Sequence, residues 1–95
     1  MSDTISTWFI YILRCADETL YTGITNKLSE RIKKHNSGKG AKYTRSRLPV
    51  KIAYQEEVGE KGKALQREYA IKQLTRKEKL LMIKDFKAEE NIEPE

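Results

Sequence analysis

Ninety-five residues allow one hydrophobic core and leave no room for a second. One cysteine excludes an internal disulfide, one histidine beside it excludes a site of His and Cys metal ligands, and no apolar run approaches a membrane span. The net charge is +5, but residues 88–95 hold four acids and no base, so the rest of the chain carries nineteen bases against ten acids.

Trp8 to Cys15 is rich in aromatic and branched residues with apolar groups on both faces, which predicts a central strand. Cys15 falls inside that apolar run, so a buried, reduced thiol is expected. Ala16-Asp17-Glu18-Thr19 is a turn, and Leu20 to Ile24 is the return strand of a hairpin. Gly23 permits either a close backbone approach or a bulge. Thr25 or Asn26 caps a helix that buries Leu28 and Ile32 and ends near Asn36-Ser37-Gly38. Ser37 to Arg47 reads as a polar, basic loop, too long and too charged to be packed inside. Pro49 leads into a third strand, Val50 to Val58, with Val50, Ile52 and Tyr54 at alternating positions. Gly59 and Gly62 bracket a turn. Lys63 to Leu74 is a helix offering Ala64, Leu65, Ile71 and Leu74 to the core. Thr75 and Glu78 have the spacing of a capping box, which starts a last helix burying Leu80, Leu81 and Ile83. The acidic end, residues 88–95, is expected to be a disordered tail beyond a domain at residues 1–87. The pattern β-β-α-β-α-α predicts an α+β fold, a three-stranded antiparallel sheet flanked by helices.

Several polar residues suit phosphodiester chemistry. From Lys27 to Lys51 there are nine bases and one acid, Glu30. That density attracts polyanions, because each phosphate contact releases condensed counterions. Arg31 and His35 are i, i+4 neighbours on one helix face, where a guanidinium can hold a phosphate oxygen and an imidazole can relay a proton. Tyr11 and Tyr21 carry hydroxyls able to position a water. They share a sheet face only if the hairpin loop has an odd number of residues, which the sequence leaves open. Glu68, the one acid between Glu60 and Glu78, can give a hard cation its single carboxylate, or can simply pair with Lys72 one turn on.

Tyr21-Thr22-Gly23-Ile24-Thr25-Asn26, followed by Leu28, Arg31 and His35, resembles the second half of the GIY-YIG nuclease signature and its helix. Ser37-Gly38-Lys39-Gly40-Ala41-Lys42-Tyr43-Thr44 resembles the basic loop of the small stand-alone bacterial branch of that family, and Glu68 with Ile71-Lys72 its glutamate helix. The resemblance spans roughly residues 8–84. Phe9 stands in place of the name-giving first glycine and Thr22 in place of the central isoleucine of the second triplet, both structural positions. The resemblance implies that the hairpin brings Tyr11 and Tyr21 to one face. It places Tyr11, Tyr21, Arg31, His35 and Glu68 at the active-site positions: Arg31 on the scissile phosphate, Glu68 on the metal, one tyrosine on the water, His35 in support. Mg²⁺ is the expected cation, with Mn²⁺ as a substitute.

The function expected is therefore a metal-dependent endonuclease acting on nucleic acid, DNA in preference to RNA, with a structure-related repair or recombination role. Lys39, Lys42, Tyr43, Arg45 and Arg47 are expected to contact the nucleic acid. Met1-Ser2-Asp3-Thr4 lacks the basic and apolar parts of a secretory signal, so a cytoplasmic location is expected. Two rivals from other classes are a non-catalytic nucleic-acid-binding module and a subunit that acts only with a protein partner.

Overall fold

A strand that is apolar at every position from Phe9 to Leu13 must be covered on both faces, and the fold is organised around that requirement. The computed structural model describes residues 7–90. Strand β1 (Trp8–Arg14) lies between β2 (Leu20–Thr25) and β3 (Lys51–Gly59) and is antiparallel to both. Ile10 and Ile12 pack on one face with Ala53, Ala64, Ile71 and Ile83, under helices α3 (Lys61–Lys72) and α4 (Arg76–Glu90). Tyr11 and Leu13 pack on the other with Cys15 and Val50, under Leu28 and Ile32 of helix α1 (Leu28–Asn36). Each fully buried isoleucine contributes about 1.5–3 kcal/mol to the fold. Cys15 is buried as a free thiol, as expected.

The hairpin register settles the question of the two tyrosines. Arg14 pairs with Leu20, so five residues, Cys15 to Thr19, form the loop. Tyr11 then faces Gly23, Leu13 faces Tyr21, and both tyrosines project from the same face. The β1–β2 ladder has no bulge, so Gly23 serves the closer approach: a Cβ there would lie 2.5 Å from the Tyr11 hydroxyl oxygen.

The third strand is less regular than its alternation suggests. Ile12 pairs with Tyr54 but Leu13 pairs with Ile52, so a bulge falls at Ala53. Ala53 turns into the core, and Ile52, expected to share an inner face with Val50 and Tyr54, is left 37% exposed.

Helix α1 has no side-chain cap. Thr25, one of the two expected caps, accepts instead from the Lys27 N–H at 3.0 Å, which ties down the residue just before the helix. The helix ends as its sequence predicts. Gly38 has φ +84°, Lys39 N–H donates to the Lys34 carbonyl and Gly38 N–H to the His35 carbonyl, the paired closure of a Schellman motif.

The following loop departs from expectation. It holds a short helix, α2 (Lys42–Arg45), and Thr44 within it is fully buried. The charges of Lys42 and Arg45 stay outside while Thr44 goes inward, so a charged segment packs without burying a charge. Helix α3 begins at Lys61, which puts Gly62 in its first turn rather than after a loop. Leu65 and Leu81, expected in the core, are 48% and 53% exposed. The inner stripe of α3 runs through Ala64 and Ile71, and Leu65 lies one residue, about 100° of rotation, off it. Leu81 is turned away in the same manner beside Leu80 and Ile83. The expected capping box is present: Thr75 N–H donates to Glu78 Oε1 at 2.8 Å and Glu78 N–H to Thr75 Oγ1 at 3.1 Å. Helix α4 runs to Glu90, past the position where the acidic tail was expected to begin, and residues 91–95 of that stretch lie outside the described residues.

Candidate active site

Four of the five residues singled out for chemistry meet above the Tyr11 face of the sheet. Gly23 has no side chain, so the Tyr11 ring lies across β2 and its hydroxyl reaches His35 Nε2 at 3.0 Å. Tyr21, from the same face, sets its ring edge-on to His35 with centroids 5.4 Å apart, and 6.4 Å from Tyr11. Arg31, one turn before His35 on α1, brings its guanidinium beside the Tyr11 phenol. Tyr11 and His35 are buried, whereas Tyr21 and Arg31 are partly exposed. The pair thus sits inside and two groups face outward.

His35 is held from the other side by α2. Its Nδ1 lies 2.9 Å from Thr44 Oγ1, and Thr44 Oγ1 donates to the Ala41 carbonyl at 3.1 Å. The chain approaches closely at Gly40, where a Cβ would fall 2.5 Å from His35 Nδ1. Tyr43 of α2 stacks on Tyr21 at 5.8 Å, and the Arg47 guanidinium covers Tyr43 at 4.1 Å. Arg47 also donates to the Tyr43 carbonyl and pairs with Asp17 of the hairpin at 3.0 Å. Two of the expected nucleic-acid contacts therefore also build the site: Tyr43 is covered by a ring and a cation, and Arg47 bolts α2 to the hairpin. Lys39, Lys42 and Arg45 are exposed.

Burial raises the Tyr11 pKa above its ordinary value; the nearby Arg31 opposes this, and the Tyr21 and Glu68 charges add to the rise. Burial, then the Arg31 charge, lowers that of His35. Both effects favour a neutral phenol against a neutral imidazole. The linkage has a definite sign. The folded imidazole resists a proton that the unfolded chain accepts below the ordinary value of 6.5, so the stabilisation present above 6.5 is lost as pH falls through the folded value. The urea unfolding midpoint is expected to be flat from pH 8 to about 7 and to drop on further acidification. A midpoint unchanged down to pH 5 would show that His35 is not buried neutral.

Arg31 Nε is buried and meets no hydrogen-bond acceptor among the described residues. An unpaired buried N–H on a guanidinium costs about 1–3 kcal/mol, unless an acceptor arrives from outside. A shallow cleft of about 240 Å³ lined by Thr25, Asn26, Lys27, Glu30, Arg31 and Lys34 opens beside it.

Glu68 is placed on α3, close enough for its charge to act on Tyr11, and is itself 19% exposed. Its Oε2 lies 3.2 Å from Lys72 Nζ, the alternative pairing that the i, i+4 spacing allowed. Among the described residues no three His, Cys, Asp or Glu side chains gather into a metal-binding group. A cation here would take one carboxylate and complete its shell with water and phosphate oxygens, which suits a hard ion such as Mg²⁺ or Mn²⁺.

A family profile described as the GIY-YIG catalytic domain matches residues 7–81. The chain belongs to the GIY-YIG nuclease family. A UPF0213 protein of Clostridium perfringens is 57% identical over 89 residues, covering 92% of this chain and 95% of that one. A UPF0213 protein of Staphylococcus epidermidis is 52% identical over 77 residues, covering 81% and 94%. Among solved structures, the solution structure of a UPF0213 protein from Bacillus halodurans is 42% identical with a TM-score of 0.54, covering 82% of this chain and 83% of that one. That of a protein from E. faecalis is 35% identical with a TM-score of 0.61, covering both chains fully. As a GIY-YIG domain the chain is of a nucleic-acid-handling family, and no helix among the described residues is long and apolar enough to cross a membrane.

Thr44 and Gly40 were missed as site residues. Gly40 stood in the sequence only as a loop glycine, and Thr44 as one hydroxyl among many polar groups. A signal was present in their distance from His35, since a chain reversing after Gly38 must pass back over the helix end. A second cationic cleft, where Arg76 and Lys79 of α4 meet Tyr43, Thr19 and Leu20, was also unanticipated.

The basic loop has a direct test. Replacing Lys39, Lys42 and Arg45 together by alanine is expected to flatten the slope of log affinity against log salt by up to about 0.9 per lost phosphate contact on duplex DNA. Fluorescence anisotropy of a labelled duplex across a salt series measures it. An unchanged slope would move the binding surface to another cationic patch, Arg76 and Lys79 first.

Proposed function

We propose that this protein is a metal-dependent endonuclease that hydrolyses phosphodiester bonds through Tyr11, Tyr21, Arg31, His35 and Glu68. One observation carries the reading: a buried guanidinium N–H with no partner stands beside a buried tyrosine–histidine pair. Arg31 donates to a phosphate oxygen there, and its fixed charge stabilises the negative charge that grows as phosphorus becomes five-coordinate. The phenols and the imidazole orient the attacking water and take up its proton. Glu68 holds Mg²⁺, or Mn²⁺ in its place, and the cation when bound supplies further charge for the phosphate oxygens and a more acidic water.

DNA is the proposed substrate class, in branched, flapped or damaged form, with a role in repair or recombination. The exposed cations Lys39, Lys42 and Arg45 and the open cleft at Arg31 favour a polyanion laid across the surface. The proposed location is the cytoplasm, where a lone thiol such as Cys15 stays reduced. A binding module that cleaves nothing is favoured by a single feature, the Lys72 ammonium resting on Glu68. Helical i, i+4 pairs of this kind contribute only about 0.3–0.5 kcal/mol, so a divalent cation displaces it easily.

Labelled duplex, single-stranded, flap and branched substrates, incubated with and without Mg²⁺ or Mn²⁺, test the proposal. Metal-dependent strand scission of at least one of them is expected. Binding that weakens with salt but yields no product on any substrate would favour the binding module, and activity appearing only on adding a partner protein would favour the subunit.

A further inference from the structure

The contacts around His35 form one line of hydrogen bonds, and its two ends decide which way the protons point. At one end, Thr44 Oγ1 lies 3.1 Å from the Ala41 carbonyl oxygen, which can only accept. Thr44 has one hydroxyl proton. Spent on Ala41, it leaves the oxygen free to accept, so the 2.9 Å contact to His35 is made by an Nδ1–H. At the other end, the Arg31 guanidinium beside Tyr11 can only donate. The phenol proton then has one acceptor within reach, His35 Nε2 at 3.0 Å. Both ends give the same tautomer, proton on Nδ1 and lone pair on Nε2. Thr44 and His35 are both 0% exposed and Tyr11 is 1% exposed, so bulk water does not scramble the arrangement.

We propose that Thr44 is a positioning residue that locks His35 in the Nδ1–H tautomer, so that Nε2 is the acceptor for the Tyr11 proton. The proposal deepens the nuclease reading and rests on it for its catalytic part. It also separates the two tyrosines. Only Tyr11 has a base behind it. When the attacking water gives a proton to the Tyr11 oxygen, the original phenol proton passes to Nε2, and the tyrosine ends neutral while His35 becomes an imidazolium. The other proton stays on Nδ1 throughout, donated to Thr44 Oγ1. The other tautomer would block this transfer, because a protonated Nε2 has no lone pair for the phenol proton.

The chain has a single histidine, so ¹⁵N-histidine labelling reports on this imidazole alone. At pH 8 the wild-type protein, without substrate or metal, is expected to show a protonated Nδ1 and an unprotonated Nε2. Thr44→Val keeps the shape but removes the acceptor, so a share of the proton is expected to move to Nε2; Thr44→Ser should restore the wild-type pattern. On a substrate the parent cuts, Thr44→Val should lower kcat by up to about 10²-fold, the lower range for a positioned base, with KM unchanged, and Thr44→Ser should keep most of it. An Nε2-protonated imidazole in the wild-type protein overturns the proposal, and so does a normal kcat in Thr44→Val. If the parent cuts nothing, the nuclease reading falls, while the tautomer spectrum still decides the assignment of Thr44.

Discussion

Arg31→Ala is expected to lower cleavage by about 10²–10³-fold while leaving a folded protein, since a positioned charge on a developing oxyanion contributes that much. The side chain is only partly buried and its Nε has no internal acceptor to lose, so little of the fold depends on it. Arg31→Lys is expected to rescue poorly. An ammonium supplies charge but not the N–H that points from the guanidinium plane. A second readout needs no substrate. The Arg31 charge is one cause of the lowered His35 pKa, so its removal must raise that pKa toward 6.5, with burial still holding it below. An NMR titration of the single histidine measures this shift. An unmoved pKa would place the guanidinium away from the imidazole, and near-normal cleavage would remove Arg31 from the phosphate.

Gly40→Ala is the second large effect, and it acts through packing. The added Cβ would fall 2.5 Å from His35 Nδ1, 2.7 Å from Cγ and 2.8 Å from Cα. The side chain of His35 could swing aside, but its Cα belongs to α1 and cannot. Either α1 or the loop must shift, breaking the Thr44–His35 hydrogen bond. Overpacking of this kind costs about 1–3 kcal/mol, which lowers Tm by several to roughly 20 °C in a domain of this size. Gly62→Ala is the control. Nothing lies within 4 Å of its Cβ position and the residue is helical, so stability should rise by about 0.5–1 kcal/mol. Parallel thermal melts of the two variants decide the matter. A Gly40→Ala protein that melts like wild type would show that the loop does not rest on His35.

What the sequence disclosed followed from local rules. The hairpin, the inner face of α1 at Leu28 and Ile32, the helix stop at Gly38 and the Thr75–Glu78 box are each written within a few residues. The β-β-α-β-α-α order was legible for the same reason, short of the added turn of α2. Ile52 was misplaced because a bulge inverts the period-two rule, and nothing local marks Ala53 as the bulged residue. Leu65 and Leu81 were assigned inward by hydrophobicity alone, although Leu65 lies one residue after the buried Ala64 and Leu81 two before the buried Ile83. The site was legible as a set of residue types at family spacing. Its geometry was not: Thr44, Gly40 and Arg47 act across the fold, on partners nine, five and thirty residues away.

The proposed nuclease activity requires the cluster around Tyr11 and His35 to cut phosphodiesters with a cation held by Glu68. Cleavage by wild type and Glu68→Ala, on whichever substrate the parent cuts, with Mg²⁺ and then with chelator, tests it most directly. Circular dichroism confirms that both proteins are folded. Scission by wild type is expected to stop with chelator, and Glu68→Ala is expected to cut nothing at any Mg²⁺ concentration. A folded Glu68→Ala protein that cuts at the wild-type rate would contradict that requirement.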